Sequence, residues 1–330
     1  MLVDTNAISI QSLETYYGIK AQLFRRQYKE SISGFRQWRK KSHAQEHLIY
    51  PKNIGPHLAL DETSLSNGEL YTLLTNKDSR GKKACIVGIF KGTQAEQIVS
   101  LIRDHIPEEL RNIVKEVTLD MAGSMNLIVR KCFLKAEATT DRFHVQQLAN
   151  DAVQELRIKY RWEIINSENT AYKKVKASGQ VYKPEILING DTLRQLMARS
   201  RHVLYKSRDK WTQSQTLRAK LLFERYPDIE IAYNLSDGLR KIYNQAIDLN
   251  TARLKLARWF DQIEKACLDS FNSIKRTFEV HHKQIINYFI SRSTNAFAES
   301  FNAKIKDFRR SLRGVVDIDF FLFRLTKIFA

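Results

Sequence analysis

The amino-acid sequence predicts an α/β protein, in which a mixed β-sheet with packed helices is interrupted by a large all-α insertion. Three observations predict this class. Apolar runs of strand length occur in residues 51–165, and an apolar period near 3.6 residues dominates residues 166–290. The hydrophobic content is 43% of 330 residues, so the chain can bury a sizeable core and is expected to divide into two or three units.

Residues 1–50 are predicted to form a small basic helical module. A helix through Tyr17, a turn at Gly18 and a second helix that bears Arg25 and Arg26 are typical of a helix-turn-helix. In such a motif the second helix enters the major groove of DNA. A short basic arm that packs against the rest of the protein has the same pattern, so both interpretations stay open.

Residues 51–165 are predicted to contain the sheet. Its first three strands form a meander and have the sequences HLALDETSL, GELYTLLTN and KKACIVGIF. A helix over TQAEQIVSLIRDHI, a strand over EVTLD, a short helix and a strand over KAEATTD follow. The resulting order, β-β-β-α-β-α-β, is that of a ribonuclease-H-like layer.

Residues 166–290 are predicted to be the all-α insertion, and residues 291–330 return to the core as its final helices. No proline follows Pro227, and the segment LRKIYNQAIDLNTARLKLARWF keeps helical spacing. In the last part, residues 294–313 read as a helix with two distinct faces. Its buried face carries Phe297, Phe301, Ile305, Phe308 and Leu312, and its other face carries Asn295, Glu299, Asn302 and Lys306.

Three acids have the placement that a site for hard divalent cations needs. Asp61 and Asp120 each close an apolar strand, and Glu299 lies on the polar face of the last-mentioned helix. Two strand-end aspartates and one helical glutamate supply the oxygen ligands of two-metal phosphoryl transfer. The structural alternatives are a solvated helix face for Glu299 and turn-forming or helix-capping roles for the aspartates.

The charge of the chain indicates a polyanionic partner. Lys and Arg number 54 against 36 Asp and Glu, a net charge of +18. The apolar runs are too short to span a membrane, and the opening MLVDTNAISIQS lacks the apolar region of a secretory signal. We therefore expect a cytoplasmic, nucleoid-associated protein. The three scattered cysteines argue against both a disulfide framework and a structural zinc site.

Together these motifs resemble the DDE transposases of bacterial insertion sequences, in particular the ISL-three-like group with an all-helical insertion before the last acid. The resemblance rests on LALDETSL, VTLDMAGSM, TTDRFHV and NAFAESFNAKIK. It implies a ribonuclease-H-like catalytic domain and a catalytic triad of Asp61, Asp120 and Glu299. It also implies that these three residues hold two Mg²⁺ or Mn²⁺ ions.

The function that the resemblance implies is metal-dependent phosphodiester cleavage at transposon ends and strand transfer to target DNA. The implied partners are double-stranded DNA, both transposon ends and target, and further copies of the chain in a homo-oligomer on DNA. Relatives often begin with a Cys-rich zinc module that this sequence lacks, so a separate protein for end recognition is a further expected partner. The alternatives are a nuclease or resolvase without strand transfer and a non-catalytic DNA-binding remnant of a mobile element.

Several further residues are auxiliary candidates. Strand alternation sends Asp61 and Glu62 to opposite faces of the sheet, so one of them can be a ligand, and the resemblance selects Asp61. Asp141 either assists the metal site or caps the helix that follows it, and His144 lies three residues further on. The auxiliary set is Asp141, His144, Asn295 and Asn302.

Basic residues in three segments are predicted to contact DNA, with a solvated charged surface as the alternative. The helix of Glu299 contributes Lys304, Lys306, Arg309, Arg310 and Arg313. The insertion contributes Arg199, Arg201, Lys206, Arg208 and Lys210, with Trp211 as a base-stacking residue. The N-terminal module contributes Arg25 and Arg26.

Overall fold

A computed structural model describes residues 2–66, 68–312 and 314–330. Arg313, one of the predicted DNA-binding residues, lies outside the described residues. The described strands are β1 (His47–Ile49), β2 (His57–Ser66), β3 (Glu69–Asn76), β4 (Ile86–Lys91), β5 (Glu116–Leu119) and β6 (Glu137–Thr140). They form one mixed sheet in the order β1-β4-β3-β2-β5-β6, in which β5 runs parallel to β2 and β6 parallel to β5. The remaining pairs are antiparallel.

Helices make up most of the rest of the described chain. In chain order they are α1 (Leu2–Thr5), α2 (Ile10–Tyr17), α3 (Ala21–Gln27), α4 (Ala95–His105), α5 (Glu108–Arg111), α6 (Gly123–Cys132), α7 (Arg142–Ala177), α8 (Leu193–Arg199), α9 (Arg201–Leu204), α10 (Gln213–Arg225), α11 (Pro227–Asn244), α12 (Leu249–Ala266), α13 (Asn272–Ser291), α14 (Ala296–Ser311) and α15 (Ile318–Phe329). Sheet and helices together place the protein in the α/β class.

Among the described residues, no helix has both the length and the apolar content of a membrane span.

The chain divides into two compact units. The first unit comprises Met1–Asp141 and Ser291–Ala330, and the second unit comprises Arg142–Ile290. The sequence interpretation places the start of the insertion at residue 166. In the structure α7 continues through that position as one helix from Arg142, which is why the second unit begins there.

Helices cover both faces of the sheet in the first unit. On one face, α4 and α6 pack over alternate residues of β2 such as Leu58 and Leu60. On the other face, α14 and α15 pack over residues such as Leu65 and Leu73. Because side chains alternate along a strand, Asp61 belongs to the face of Leu65, that is, to the face covered by α14.

The N-terminal helices pack against α15, and a buried arginine joins the two segments. The Arg324 guanidinium donates hydrogen bonds to the backbone carbonyls of Val3 at 2.9 Å and Asn6 at 3.3 Å. It also lies over the Phe308 ring, 4.8 Å from its centroid. Since Arg324 is almost completely buried, these carbonyls have no water to replace the guanidinium.

We expect Arg324→Met to lower the free energy of unfolding by about 3 kcal/mol, because Met retains much of the packing but leaves buried carbonyls without their charged donor. Urea unfolding followed by circular dichroism measures the change. Arg310→Met is the matched control, since Arg310 is an exposed arginine on α14. Similar losses in the two variants would show that the buried hydrogen bonds of Arg324 add no stability.

Candidate active site

Three neighbouring parallel strands in the first unit each carry an aspartate just beyond the point where their pairing stops. Asp120 and Asp141 directly follow the ends of β5 and β6, as the sequence predicts for Asp120. The prediction that Asp61 closes its strand is wrong, because β2 continues to Ser66 through its pairing with β3. The pairing of β2 with β5 ends two residues before Asp61 and Asp120. The pairing of β5 with β6 ends one residue before Asp120 and Asp141. Continuing this register places the three aspartates in one row across adjacent strands, which are about 4.8 Å apart. The row lies at the carboxyl ends of β5 and β6, where α/β proteins commonly carry their sites, and beside the middle of the longer strand β2.

Glu299 lies on α14, and its carboxylate is close to one end of this row. A carboxylate oxygen of Glu299 and one of Asp141 lie within 4.8 Å of each other. Asp141 is buried and Glu299 is exposed, so one acid of the pair is shielded and the other is open to solvent. Two carboxylates this close repel each other unless a proton or a cation lies between them.

The predicted triad has a looser arrangement. Within residues 2–66, 68–312 and 314–330, Asp61, Asp120 and Glu299 do not form a group whose ligand atoms all lie within 4.8 Å. The wider separations that two ions require, roughly 4 to 8 Å between carboxylates, stay a prediction. His144 lies on the first turn of α7, in the second unit.

Asp61, and not Glu62, faces α14. One carboxylate oxygen of Asp61 accepts a hydrogen bond from the Asn302 side chain at 2.8 Å, and the other accepts from the backbone N–H of Glu62 at 2.8 Å. Burial raises the pKa of Glu62, and the negative charge of Asp120 raises it further. The two neighbouring acids therefore have different environments, and Asp61 is directed toward the helix that carries Glu299.

Asp120 lies in the turn between β5 and α6. Its carboxylate accepts a hydrogen bond from the backbone N–H of Ala122 at 2.7 Å, two residues further on. This is an Asx-type turn, which is the structural alternative that the sequence left open for this residue. The bond uses one carboxylate oxygen and fixes the orientation of the group.

The two asparagines on the predicted polar face of α14 have different surroundings. Asn302 is buried and orients Asp61. Asn295 is 0% exposed, and neither its side-chain oxygen nor its nitrogen has a hydrogen-bond partner among the residues that the structure describes. A buried amide without partners costs free energy and is unusual in a folded protein, so Asn295 has unused hydrogen-bonding capacity one turn before Glu299.

The sequence of this chain matches a known protein family. A family of DDE transposases, the ISL-three group with the description "Transposase", matches residues 58–325. The chain belongs to this transposase family. The match includes Asp61, Asp120 and Glu299, and it confirms the resemblance drawn from the sequence.

One relative of this chain is the "Transposase for insertion sequence element IS1001" of Bordetella parapertussis. The two sequences are 21% identical over 273 residues, which are 83% of this chain and 61% of the relative. The chain therefore spans about three fifths of the length of that relative.

A buried lysine joins the segment before α14 to the sheet, and the sequence interpretation did not single it out. The Lys77 ammonium donates hydrogen bonds to Glu116 at 3.2 Å and Thr118 at 2.6 Å on β5, and to the Ser293 hydroxyl. Burial by itself would raise the pKa of Glu116, but hydrogen bonds from Ser291 and Ser293 and the charge of Lys77 lower it. The polar Glu116 within an apolar strand was the sequence signal for this network.

Two of the predicted DNA-binding cations on α14 contact the protein's own backbone. Lys304 donates a hydrogen bond to the Gly81 carbonyl at 3.2 Å, and Arg309 donates one to the Ser64 carbonyl at 3.1 Å. These bonds connect α14 to the loop before β4 and to the end of β2. Both side chains therefore already have a structural role.

Other predicted DNA-binding cations are open to solvent. Lys306 is exposed, and Arg310 is exposed but forms an ion pair with Asp307 at 2.6 Å. On α3, Arg25 and Arg26 are both exposed, and Arg26 has an acidic partner one turn along the chain. Such exposed ion pairs are weak, so these cations can exchange a carboxylate for a phosphate at little cost.

In the second unit, several predicted DNA-binding residues take part in its internal packing. Arg199 forms an ion pair with the buried carboxylate of Asp191. Arg208 lies over the Trp211 ring, 5.9 Å from its centroid, and forms an ion pair with Glu230 at 3.0 Å. The Trp211 indole is half-buried and donates its N–H to a backbone carbonyl at 3.0 Å. The remaining predicted residues, Arg201, Lys206 and Lys210, are exposed.

Proposed function

We propose that this chain is a catalytic transposase that hydrolyses a phosphodiester at each transposon end. The freed 3′ hydroxyl then attacks a phosphodiester of the target DNA. The observation that carries the proposal is the row of Asp61, Asp120 and Asp141 across three neighbouring strands, with Glu299 at one end of it, in a chain of a transposase family.

The donor set fits hard divalent cations. Mg²⁺ and Mn²⁺ prefer carboxylate and amide oxygens, and the first unit offers these in the aspartate row, Glu299 and the unpartnered Asn295 amide. We propose Asp61, Asp120 and Glu299 as the ligands of two ions, with Asp141 as a further acid beside Glu299. His144 is a further auxiliary candidate. Bound ions would activate the attacking oxygen and neutralise charge on the leaving oxygen.

The protein's own contribution is orientation. Asn302 and the Glu62 amide hold both oxygens of Asp61, and the Ala122 amide holds one oxygen of Asp120. Carboxylates that are already fixed do not have to reorganise when a phosphate arrives. The hydrogen bonds of Lys77 fix the segment before α14 in the same way, because they hold Ser293 against β5.

We also propose that the first unit is a ribonuclease-H-like domain and that the second unit is its all-α insertion. The meander β2-β3-β4 is followed by α4 and α5, then β5, α6 and β6. Apart from the additional one-turn helix α5, this is the order that the sequence analysis predicts for such a layer.

Duplex DNA is the proposed partner, both as transposon end and as target. The net charge of +18 and the exposed cations Lys306 and Arg310 beyond Glu299 on α14 support this. End recognition by the basic N-terminal helices or by a separate protein is a further proposal.

We expect the variant Lys306→Ala with Arg310→Ala to weaken binding to specific and random duplexes alike. If each residue contacts one phosphate, the slope of log K against log salt should fall by about 0.9 per residue. Fluorescence anisotropy titrations at several salt concentrations measure both slopes. Lys115→Ala with Lys135→Ala is the matched control, because these exposed lysines precede β5 and β6 at the opposite ends of the strands. An equal change in the control pair would indicate a general charge effect.

The proposed chemistry is tested by incubating the purified protein with Mg²⁺, a labelled duplex that carries the sequence flanking its coding region, and a supercoiled plasmid. Cleavage at the end followed by a labelled plasmid product supports a transposase. Cleavage without joining would point to a nuclease or resolvase. Duplex binding without cleavage would point to a non-catalytic remnant of a mobile element.

A further inference from the structure

A small cavity lies between the N-terminal helices and the loop before α15, within the first unit. Its volume is about 230 Å³, which is below the range of roughly 300 to 1,000 Å³ that is typical of sites for drug-sized ligands. Its apolar lining residues are Ile10, Leu312, Val315, Val316, Phe320 and Phe321. Val316 is fully exposed, so the cavity opens to solvent at this residue.

The charged lining of the cavity is positive on balance. Arg25, Lys29 and Arg324 line it together with one acid, Asp317. The Asp317 carboxylate accepts hydrogen bonds from Lys29 and, at 2.9 Å, from the backbone N–H of Phe320. Lys29 and Asp317 therefore neutralise each other, and the charges of Arg25 and Arg324 are left to attract an anion.

Arg324 also offers this cavity an unused hydrogen-bond donor. The side chain is 2% exposed, and its terminal nitrogens donate to backbone carbonyls of the N-terminal segment. Its Nε, in contrast, has no hydrogen-bond partner among the residues that the structure describes. A buried donor without a partner costs free energy, so a ligand with an acceptor in the cavity would be stabilised there.

We propose that the cavity binds one nucleotide that is unpaired from the DNA, with its base among the apolar residues and its phosphate beside Arg25. A base has two apolar faces and an edge with hydrogen-bond acceptors, so it suits both the apolar lining and the Nε of Arg324. Arg25 is exposed on α3 and suits the phosphate, because charge-assisted hydrogen bonds to phosphate are strong.

Simpler ligands leave part of this lining unused. Inorganic phosphate would leave the apolar residues in contact with water, and a purely apolar ligand would leave the Nε of Arg324 without a partner. The inference rests on the proposed function, because it takes DNA as the partner. It goes beyond that function, because a base must leave the duplex stack to enter a cavity of this size.

Anisotropy titrations of the full chain without divalent metal test the proposal with two labelled duplexes. One carries a single-stranded tail of ordinary nucleotides, and the other carries a tail of abasic sites, which keeps the phosphates but lacks the bases. We expect the wild type to bind the first duplex at least about 5-fold more tightly, which is the lower end of what stacking one base contributes. Val316→Trp, which narrows the mouth of the cavity, and Arg25→Ala should each bring this ratio below about 2.

Leu134→Trp and Arg26→Ala are the matched controls, and both should keep the wild-type ratio. Leu134 is 69% exposed and is not among the described residues that line the cavity. Arg26 is the exposed neighbour of Arg25 on the same helix and is likewise absent from the described lining.

Equal affinity of the wild type for the two tails overturns the proposal, as does a preference that persists in both Val316→Trp and Arg25→Ala. A free deoxynucleoside monophosphate that binds the wild type but not Val316→Trp, while the two tails bind equally, would make a free nucleotide the ligand and also overturn it. Since no metal is present, the preference for bases does not depend on strand cleavage. A chain that shows this preference but never cleaves DNA would refute the proposed chemistry and leave the nucleotide cavity intact.

Discussion

Replacing Glu299 by Gln is expected to reduce the rate of strand cleavage by about 10³-fold or more while leaving duplex binding intact or slightly stronger. The amide keeps the shape of the side chain but loses the charge that holds a divalent cation. Removing an acid also reduces repulsion of the phosphates. Asp61→Asn and Asp120→Asn should behave in the same way. Single-turnover cleavage of a labelled end duplex, with anisotropy for binding, measures both quantities.

Asp307→Asn is the matched control for these variants, because Asp307 is an exposed acid on the same helix and pairs with Arg310. Its cleavage rate should equal that of the wild type. Asp141→Asn then separates the two interpretations of Asp141: a further metal-binding acid loses activity, whereas a helix cap loses stability. Normal cleavage in Glu299→Gln would refute the proposed triad, and weakened binding in all three triad variants would indicate a folding defect.

The sequence was sufficient to predict the strands that carry the acids, because their signals are local. The alternation in β2 and the short apolar run before Asp120 each specify a strand without reference to the rest of the chain. That the carboxylates of Asp61, Asp120 and Glu299 converge within metal-bridging reach stays a prediction. β1 was not predicted, since a strand of three residues has no detectable period and depends on its pairing with β4.

The sequence pattern did not predict the contacts between segments that lie far apart along the chain. Charge patterns identified Lys304 and Arg309 as cations, but the carbonyls that they bind lie 223 and 245 residues away. The choice between Asp61 and Glu62 likewise depended on where α14 packs, and the family resemblance supplied it before the geometry did. The sequence shows the charge of a side chain, whereas its hydrogen-bond partner depends on how distant segments pack in the fold.

Replacing Lys77 by Met is expected to lower the free energy of unfolding by about 3 kcal/mol or more at neutral pH. The side chains of Lys77 and Glu116 are only 13% and 8% exposed, so solvent screens their interaction little. Met fills much of the same volume but leaves the Glu116 carboxylate buried without its cation. The double variant with Glu116→Gln should recover part of the loss, because the uncompensated charge is gone. Urea unfolding of the single and double variants measures the coupling.

The same network gives stability a defined dependence on pH. The pKa of Glu116 is lowered in the folded protein, so its contribution is complete above the unfolded pKa, roughly 4.3, and is lost as the pH falls through the folded pKa. In Lys77→Met the same carboxyl takes up a proton more readily. The difference in unfolding free energy between wild type and Lys77→Met should therefore narrow as the pH falls from about 7 to below about 4.

Lys91→Met is the matched control for this prediction. Lys91 forms an ion pair with Glu69 at 3.1 Å at the surface of the same sheet, and both side chains are nearly half exposed. Exposed pairs contribute less than about 1 kcal/mol, so this variant should lose little stability at any pH. Two outcomes would show that Lys77 acts by packing alone. One is an equal loss of unfolding free energy in Lys77→Met and Lys91→Met, and the other is a loss in Lys77→Met that does not change with pH. A pH-dependent loss of unfolding free energy that occurs only in Lys77→Met would show that the buried charge pair holds the segment before α14 against β5.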